Sequence, residues 1–454
     1  MSYVEAFFYA IMVASSESYS LYFAAKKNLP AMQLAMTSTF PVLVGALFQW
    51  LLPIYIPAQS RGRAIKILIG LQILGLFGHF YNFTTEFLFP LFFVSSLFFW
   101  VGGMGISPLW LERMASFFDP IAFRGFLAKR NSFIFMAVLL FYLLFAFLPE
   151  TSLSQHFSMD GLIFSLGLVA RTGSLLCQNS FDLLLTRIPS PKEEPVKLFV
   201  SSQRIHQKKF WIKRTRQRPL PAQWPLLFFC ATGLFKLAVN ISAPFYLPYM
   251  IRDLHYSLWN FTFLTAIPFL GRGLFLPQWS KVTAGRRPYG GLLLSTLMIT
   301  LTPLFWSFTK HIYLLLILEF FSGVFWAGFD LCLVLIIQQL LHSSTGKLFG
   351  LQMALTGLCS VCGAFLGGWL LNKGMVATDL FRLSFLFRLG MGMTILWPMR
   401  KNPLADICCK SLFHLFKDLF FLGRKFNRKY SHQSLKRSSL QETISSRRMS
   451  PTPY

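Results

Sequence analysis

Charge is scarce in this chain, and negative charge scarcer still. Asp, Glu, Lys and Arg together make up 13% of 454 residues, with 17 acidic against 43 basic. That is too little polar surface to cover a water-soluble globule of this length, so a soluble fold is excluded. The seven cysteines lie mostly inside apolar runs, where a thiol packs as a small hydrophobe, which argues against a disulfide or zinc framework. Cys359 and Cys362 do form a CxxC pair, but in an apolar, glycine-rich segment with no histidine or second pair nearby. Enzyme signatures are lacking as well. There is no HExxH, GxSxG or kinase set, and "SSTGK", ending at Lys347, lacks the first glycine of a phosphate-binding loop. Neither an enzymatic activity nor a cofactor is expected.

What the chain has instead is apolar length. Hydrophobic residues are 54% of it, 52 residues are phenylalanine, and the mean hydropathy is +0.53. A helix needs about 20 apolar residues to cross about 30 Å of hydrocarbon. Stretches of that kind fall at 4–25, 31–55, 64–83, 87–112, 130–149 and 160–186, and again at 224–250, 257–279, 289–308, 312–341, 347–372 and 378–399. No other polar run matches the one from Arg187 to Trp224, so two hydrophobic halves are being joined. The expectation is an all-α membrane protein of twelve transmembrane helices. It divides into a six-helix bundle over 1–186, a basic linker over 187–223, a second six-helix bundle over 224–399 and a basic, disordered tail over 400–454. The first apolar run follows a start without basic residues and is long enough to remain as a span, so no cleavable secretory signal is expected.

Basic residues crowd the linker and the tail rather than one domain. This points to anionic lipid headgroups as their partner and away from nucleic acid. Between spans, the turns on one side hold only Lys26, Lys27, Arg252, Lys310 and Lys373, while the other side carries the rest. By the positive-inside bias both termini are cytoplasmic, in a cell or bacterial inner membrane. The halves also repeat one another. Pro41 and Pro268 each sit mid-span ahead of a glycine-containing stretch and a basic loop, and "ARTGS" from Ala170 matches "FRLGM" from Phe387, which sets Arg171 beside Arg388 in the repeat.

With twelve spans, a long basic joint and an internal repeat, the chain resembles the major facilitator superfamily of transporters over residues 1–399. Local stretches resemble a poorly characterised prokaryotic-type branch of it. They are "SPLWLERMASFFDPIAFRGFLAKRN", with Pro120, Arg124, Gly125, Arg130 and Asn131 on a cytoplasmic turn; "SSESYSLYF", with Glu17 and Tyr19; "AVNISAPFYLPYMIRDL" from Ala238; and "GVFWAGFD" up to Asp330. The family's loop signature survives as remnants, Gly62-Arg63 and Gly285-Arg286-Arg287, with Gln59 and Val282 where its acidic residue belongs. The resemblance implies two pseudo-symmetric six-helix bundles, a central cavity lined by spans 1, 4, 7 and 10, gating contacts at these cytoplasmic loops, and a monomer.

Ionisable groups inside those spans are the candidate site, because each costs roughly 2.5 to 3.5 kcal/mol at mid-span and usually faces a partner or water. Glu17 lies about 20 Å along span 1 and can take and release a proton as access alternates. The bland alternative is a hydrogen bond to a neighbouring serine or tyrosine such as Tyr19. Lys236, with Asn240 one turn later, can meet an anionic group or pair with Glu17, or rest in a static ion pair. Asp330 in "WAGFD" can face Lys236 or a substrate amine, and lies deeper than Glu319, which is near the outer end of its span. Trp326 can stack on a ligand or simply pack. Arg171, Arg272 and Arg388 are read as structural.

The function expected is secondary transport of a small solute by alternating access, with protons as a candidate coupling ion. A non-transporting scaffold or sensor with a transporter-like body, and a lipid or amphiphile translocator, are the alternatives. Deleting residues 400–454 separates scaffold from transporter. A transporter should keep moving its solute in vesicle uptake, whereas a scaffold should lose its partners in pull-downs.

Overall fold

The computed structural model describes residues 2–27, 29–115, 120–147, 159–187, 224–283, 288–340, 345–400, 416 and 419. Nearly all of the linker and tail, and Gly285 with Arg286, lie outside the described residues. Among the described residues the chain forms twelve long helices: α1 Ser2–Lys26, α2 Ala31–Tyr55, α3 Arg61–Thr84, α4 Phe89–Ala115, α5 Pro120–Phe147, α6 Met159–Arg187, α7 Trp224–Asn240, α8 Leu258–Val282, α9 Pro288–Phe308, α10 Ile312–Leu340, α11 Thr345–Asn372 and α12 Ala377–Arg400. Among the described residues nine of these segments are long and apolar enough to cross a membrane. Helix α3 shows why a bilayer is needed. Ile67, Leu74 and Phe77 form an outward stripe, 67%, 60% and 55% exposed, which hydrocarbon covers and water does not. The protein is a multi-pass integral membrane protein.

Two differences from the sequence expectation concern helix limits. Pro120 opens α5, where a missing N–H costs nothing, so Arg124, Gly125 and Arg130 lie on helix rather than in a turn. Likewise α3 starts at Arg61 and takes Gly62 and Arg63 into its first turn. The seventh span is not one continuous α-helix. After Asn240 it proceeds through a 3-10 turn at Ala243–Phe245, a short turn at Tyr246–Pro248 and a π-helical turn at Tyr249–Asp253. Pro244 and Pro248 explain the break, since each lacks the N–H that a regular ladder needs.

The packing is two-fold. In the first half α1 packs on α5 and α6, α3 on α4 and α6, and α2 on α4; the second half repeats this as α7 on α11 and α12, α9 on α10 and α12, and α8 on α10. The halves meet along α2–α11 and α5–α8, which exchange under the same operation. Two pseudo-symmetric six-helix bundles result.

The repeated proline-glycine pattern has a packing role. Pro41 and Pro268 sit inside α2 and α8. Gly45, one turn after Pro41, lets α2 approach α4 so closely that an added Cβ would lie 2.8 Å from the Trp100 carbonyl oxygen. Gly271 does the same for α8 against the Phe320 carbonyl on α10. Membrane helices lack a hydrophobic drive toward each other, so such small-residue contacts carry their association. Gly271→Ala should therefore lower thermal stability, by about 1–3 kcal/mol for an overpacked contact. Gly70→Ala, where a Cβ meets nothing within 4 Å, is the control. Equal melting of the two variants would refute the packing role.

Candidate functional site

A cavity of about 510 Å³ lies between the halves. The first half lines it with Tyr9, Val13 and Glu17 from α1 and Ile134, Phe135 and Val138 from α5. The second half adds Tyr246 and Met250 from the broken stretch after α7, Leu264, Thr265, Pro268, Phe269 and Arg272 from α8, Trp306 from α9 and Glu319 from α10. Tyr9, Val13 and Glu17 share a face because four residues is close to one helical turn. The aromatic wall is braced from behind. Tyr246 stacks on Phe381 with centroids 4.6 Å apart and lies 5.0 Å from Trp306, while Phe269 packs against Tyr142 at 5.6 Å.

At the face opposite Ser2 of α1 and Arg400 of α12 the two halves touch. Arg252 donates to the Leu29 carbonyl oxygen at 2.9 Å, and the Tyr19 hydroxyl meets Thr262 at 3.3 Å. Apolar packing of Phe145, Tyr249, Phe261 and Trp306 completes that contact.

Each half supplies the cavity with one carboxyl group. Glu17 is partly buried, and among the described residues its carboxyl has neither an ion pair nor a hydrogen bond. Glu319 accepts a hydrogen bond from Trp306 Nε1 at 2.7 Å. Arg272, read from the sequence as structural, also reaches the cavity, where it pairs with Asp330 at 3.4 Å and lies 5.6 Å from the Phe135 ring.

The remaining sequence candidates are placed elsewhere. Lys236 does not meet Glu17; its ammonium lies over the rings of Trp326, at 4.0 Å, and Phe329, at 5.2 Å. Asp330, half exposed, is outside the cavity lining but within electrostatic reach of Lys236. Asn240 braces α7 against α11, donating to the Lys236 carbonyl at 2.9 Å and to Ser360 at 3.0 Å. Tyr19 sits at the α1–α8 contact rather than in the lining. Arg388 is 3% exposed and donates to the carbonyls of Ile299 and Val239 and to the Ser242 hydroxyl. No group of His, Cys, Asp and Glu able to hold a metal occurs among the described residues.

No protein-family model and no curated protein matches the sequence. Solved structures do match in shape. The D-xylose-proton symporter superposes with a TM-score of 0.61 at 17% identity, covering 89% of this chain and 97% of that one. The partially occluded, inward-open xylose transporter XylE from E. coli gives 0.58 at 12%, covering 87% and 94%. The nucleoside transporter NupG gives 0.58 at 10%, covering 88% and 98%. This chain has the major facilitator fold.

Within the major facilitator fold the loop after α2 is where the sequence shows only a remnant of the signature, without its acidic residue. Neighbouring helices supply the carboxylates there. Asp182 of α6 pairs with Arg113 at 2.6 Å and Lys66 at 3.2 Å, and Glu112 pairs with Arg61 at 2.6 Å. Gly62 packs beside Arg113 and Asp182, while Arg63 is exposed. Gly125 faces open space, and nothing is described of the Arg124 side chain.

Arg130 belongs to a deeper group. Its guanidinium binds Glu5 at 2.5 Å and Ser2 at 3.1 Å and lies 4.1 Å from the Trp110 ring, so it ties α1, α4 and α5 together. Arg171, 1% exposed, approaches the same Glu5 at 4.0 Å. Sequence spacing could not reveal this group, because its members come from separate helices. Removing one partner of a buried pair strands the other charge, at about 3–5 kcal/mol. Glu5→Ala should therefore destabilise strongly in detergent melts. Adding Arg130→Ala should recover part of the loss, and strictly additive melting would refute the coupling.

Proposed function

We propose that the chain is a secondary transporter that carries a small solute by alternating access, with Glu17 as the proton-coupling group. The observation that supports it most is the cavity itself: one chamber, walled by both halves, with a carboxyl group facing it from each. The structural neighbours are named as carriers of D-xylose with protons, of xylose and of nucleosides. A shared fold at this identity carries no solute across to this chain.

In this reading the charge bias places both termini in the cytoplasm, and the contact made by Arg252 and Leu29 faces outside. The cavity would then be served from the cytoplasmic side in this state and from the outside after the halves rock. Glu17 suits coupling because nothing described neutralises its carboxyl, so its proton or its charge must be exchanged with the cavity contents. The basic linker and tail are proposed to lie against anionic headgroups.

Thr265 offers a test independent of the solute. On a cysteine-free background, Thr265→Cys in sealed vesicles should react with a membrane-impermeant maleimide from either side; reaction from one side alone refutes alternating access. A thermal-shift screen against metabolite classes then supplies a solute, since a ligand that prefers the folded state raises its apparent stability. With that solute, Glu17→Gln should lose concentrative uptake under a pH gradient while still exchanging solute. Unchanged accumulation would remove Glu17 from the mechanism.

A further inference from the structure

Resting on the transport reading above, we propose that the cavity binds a monovalent organic cation, with its charge at Glu17 and its apolar body against Phe135, Phe269, Tyr246 and Trp306. The first reason is the charge balance of the lining. Three charged residues reach the cavity: Glu17, Arg272 and Glu319. Arg272 is held by Asp330 at 3.4 Å. Glu319 is held by Trp306 Nε1 at 2.7 Å and has Arg388 within electrostatic reach. Glu17 alone has no partner for its carboxyl among the described residues, so the uncompensated charge of the lining is negative. Lys236 does not alter this balance, because it is absent from the lining and its ammonium lies over Trp326.

The second reason is the wall. Five of the fifteen lining residues are aromatic. The face of an aromatic ring carries negative potential, which attracts a cation and disfavours an anion. The third is what the wall lacks. A polyhydroxylated solute needs many convergent donors and acceptors. Here Tyr9, Thr265 and Tyr246 are the only uncharged hydroxyl-bearing residues among the lining side chains, and most of the remainder is apolar. A volume of about 510 Å³ is within the range of small-molecule sites.

Radiolabelled tetraphenylphosphonium and the smaller benzyltrimethylammonium, measured on the purified full chain in detergent, test the class. At least one should bind saturably, and radiolabelled tetraphenylborate, of the same shape as the first but opposite charge and measured in a separate run, should not. Glu17→Gln should weaken binding by about tenfold or more, while Glu17→Asp, which keeps the charge, should stay within about threefold. The aspartate variant separates loss of charge from loss of fold. No saturable binding of either cation, equal binding by the glutamine variant, or saturable binding of the borate at a comparable concentration would each overturn the proposal. The Thr265→Cys labelling run beside it tells the two levels apart. Two-sided labelling without cation binding sinks only the solute class, whereas one-sided labelling sinks the transport reading itself.

Discussion

Two seams between the halves, α2 against α11 and α5 against α8, are what the molecule depends on, because the cavity exists only in the space they hold open. Hydrocarbon offers helices no hydrophobic reward for meeting, so close van der Waals fit must hold such seams. Small residues provide it. Gly357 of α11 lies against Leu43 and Ala46 of α2, Gly350 against Trp50, and Gly273 of α8 against Met136 of α5. Among the described residues a few hydrogen bonds cross between the halves. Ser132 donates to the Gly273 carbonyl at 2.5 Å, Tyr19 meets Thr262, and Arg252 reaches Leu29.

Charge is distributed in the opposite way. Among the described residues every ion pair lies inside one half: Arg61, Lys66 and Arg113 with Glu112 and Asp182, Glu5 with Arg130 and Arg171, Arg272 with Asp330, and Arg382 with Asp379. Among the described residues the ion pairs thus stiffen each bundle, while close packing and a few hydrogen bonds join the bundles. That division of labour supports the proposed transport reading, in which one half moves against the other rather than bending within itself.

The sequence makes the helices legible because apolar length is a local property. Ten of the spans match their apolar runs to within a few residues at both limits; α5 starts ten residues early, at Pro120, and α7 breaks at prolines visible in the chain. The repeat was legible for the same reason: Pro41 and Pro268, and Arg171 and Arg388, are local marks. The cavity was legible only in part. Glu17 stood out as a lone acid deep in a span and does line the cavity. Glu319 did not stand out, because its depth suggested interfacial water; what brings it into the lining is its packing beside Trp306 of α9. Arg272 meeting Asp330, and Lys236 meeting Trp326 rather than Glu17, depend on which helices become neighbours and on rotation about their axes. Neither is written in the spacing of one segment.

The confinement of the described ion pairs to single halves bears on the membrane potential. A charge carried through the whole field is worth about 2.3 kcal/mol per 100 mV, so the voltage dependence of a carrier depends on which charges change their electrical position between its two states. Pairs that ride together within a half contribute little, because their members move as one. Among the described residues Glu17 is the cavity-lining carboxyl group with neither an ion pair nor a hydrogen bond. In the transport reading proposed above, an empty Glu17 would expose a negative charge to the field as access switches, and a neutralised one would expose none. Under that proposal voltage would act mainly on the unladen return, and the laden stroke would be close to electrically silent.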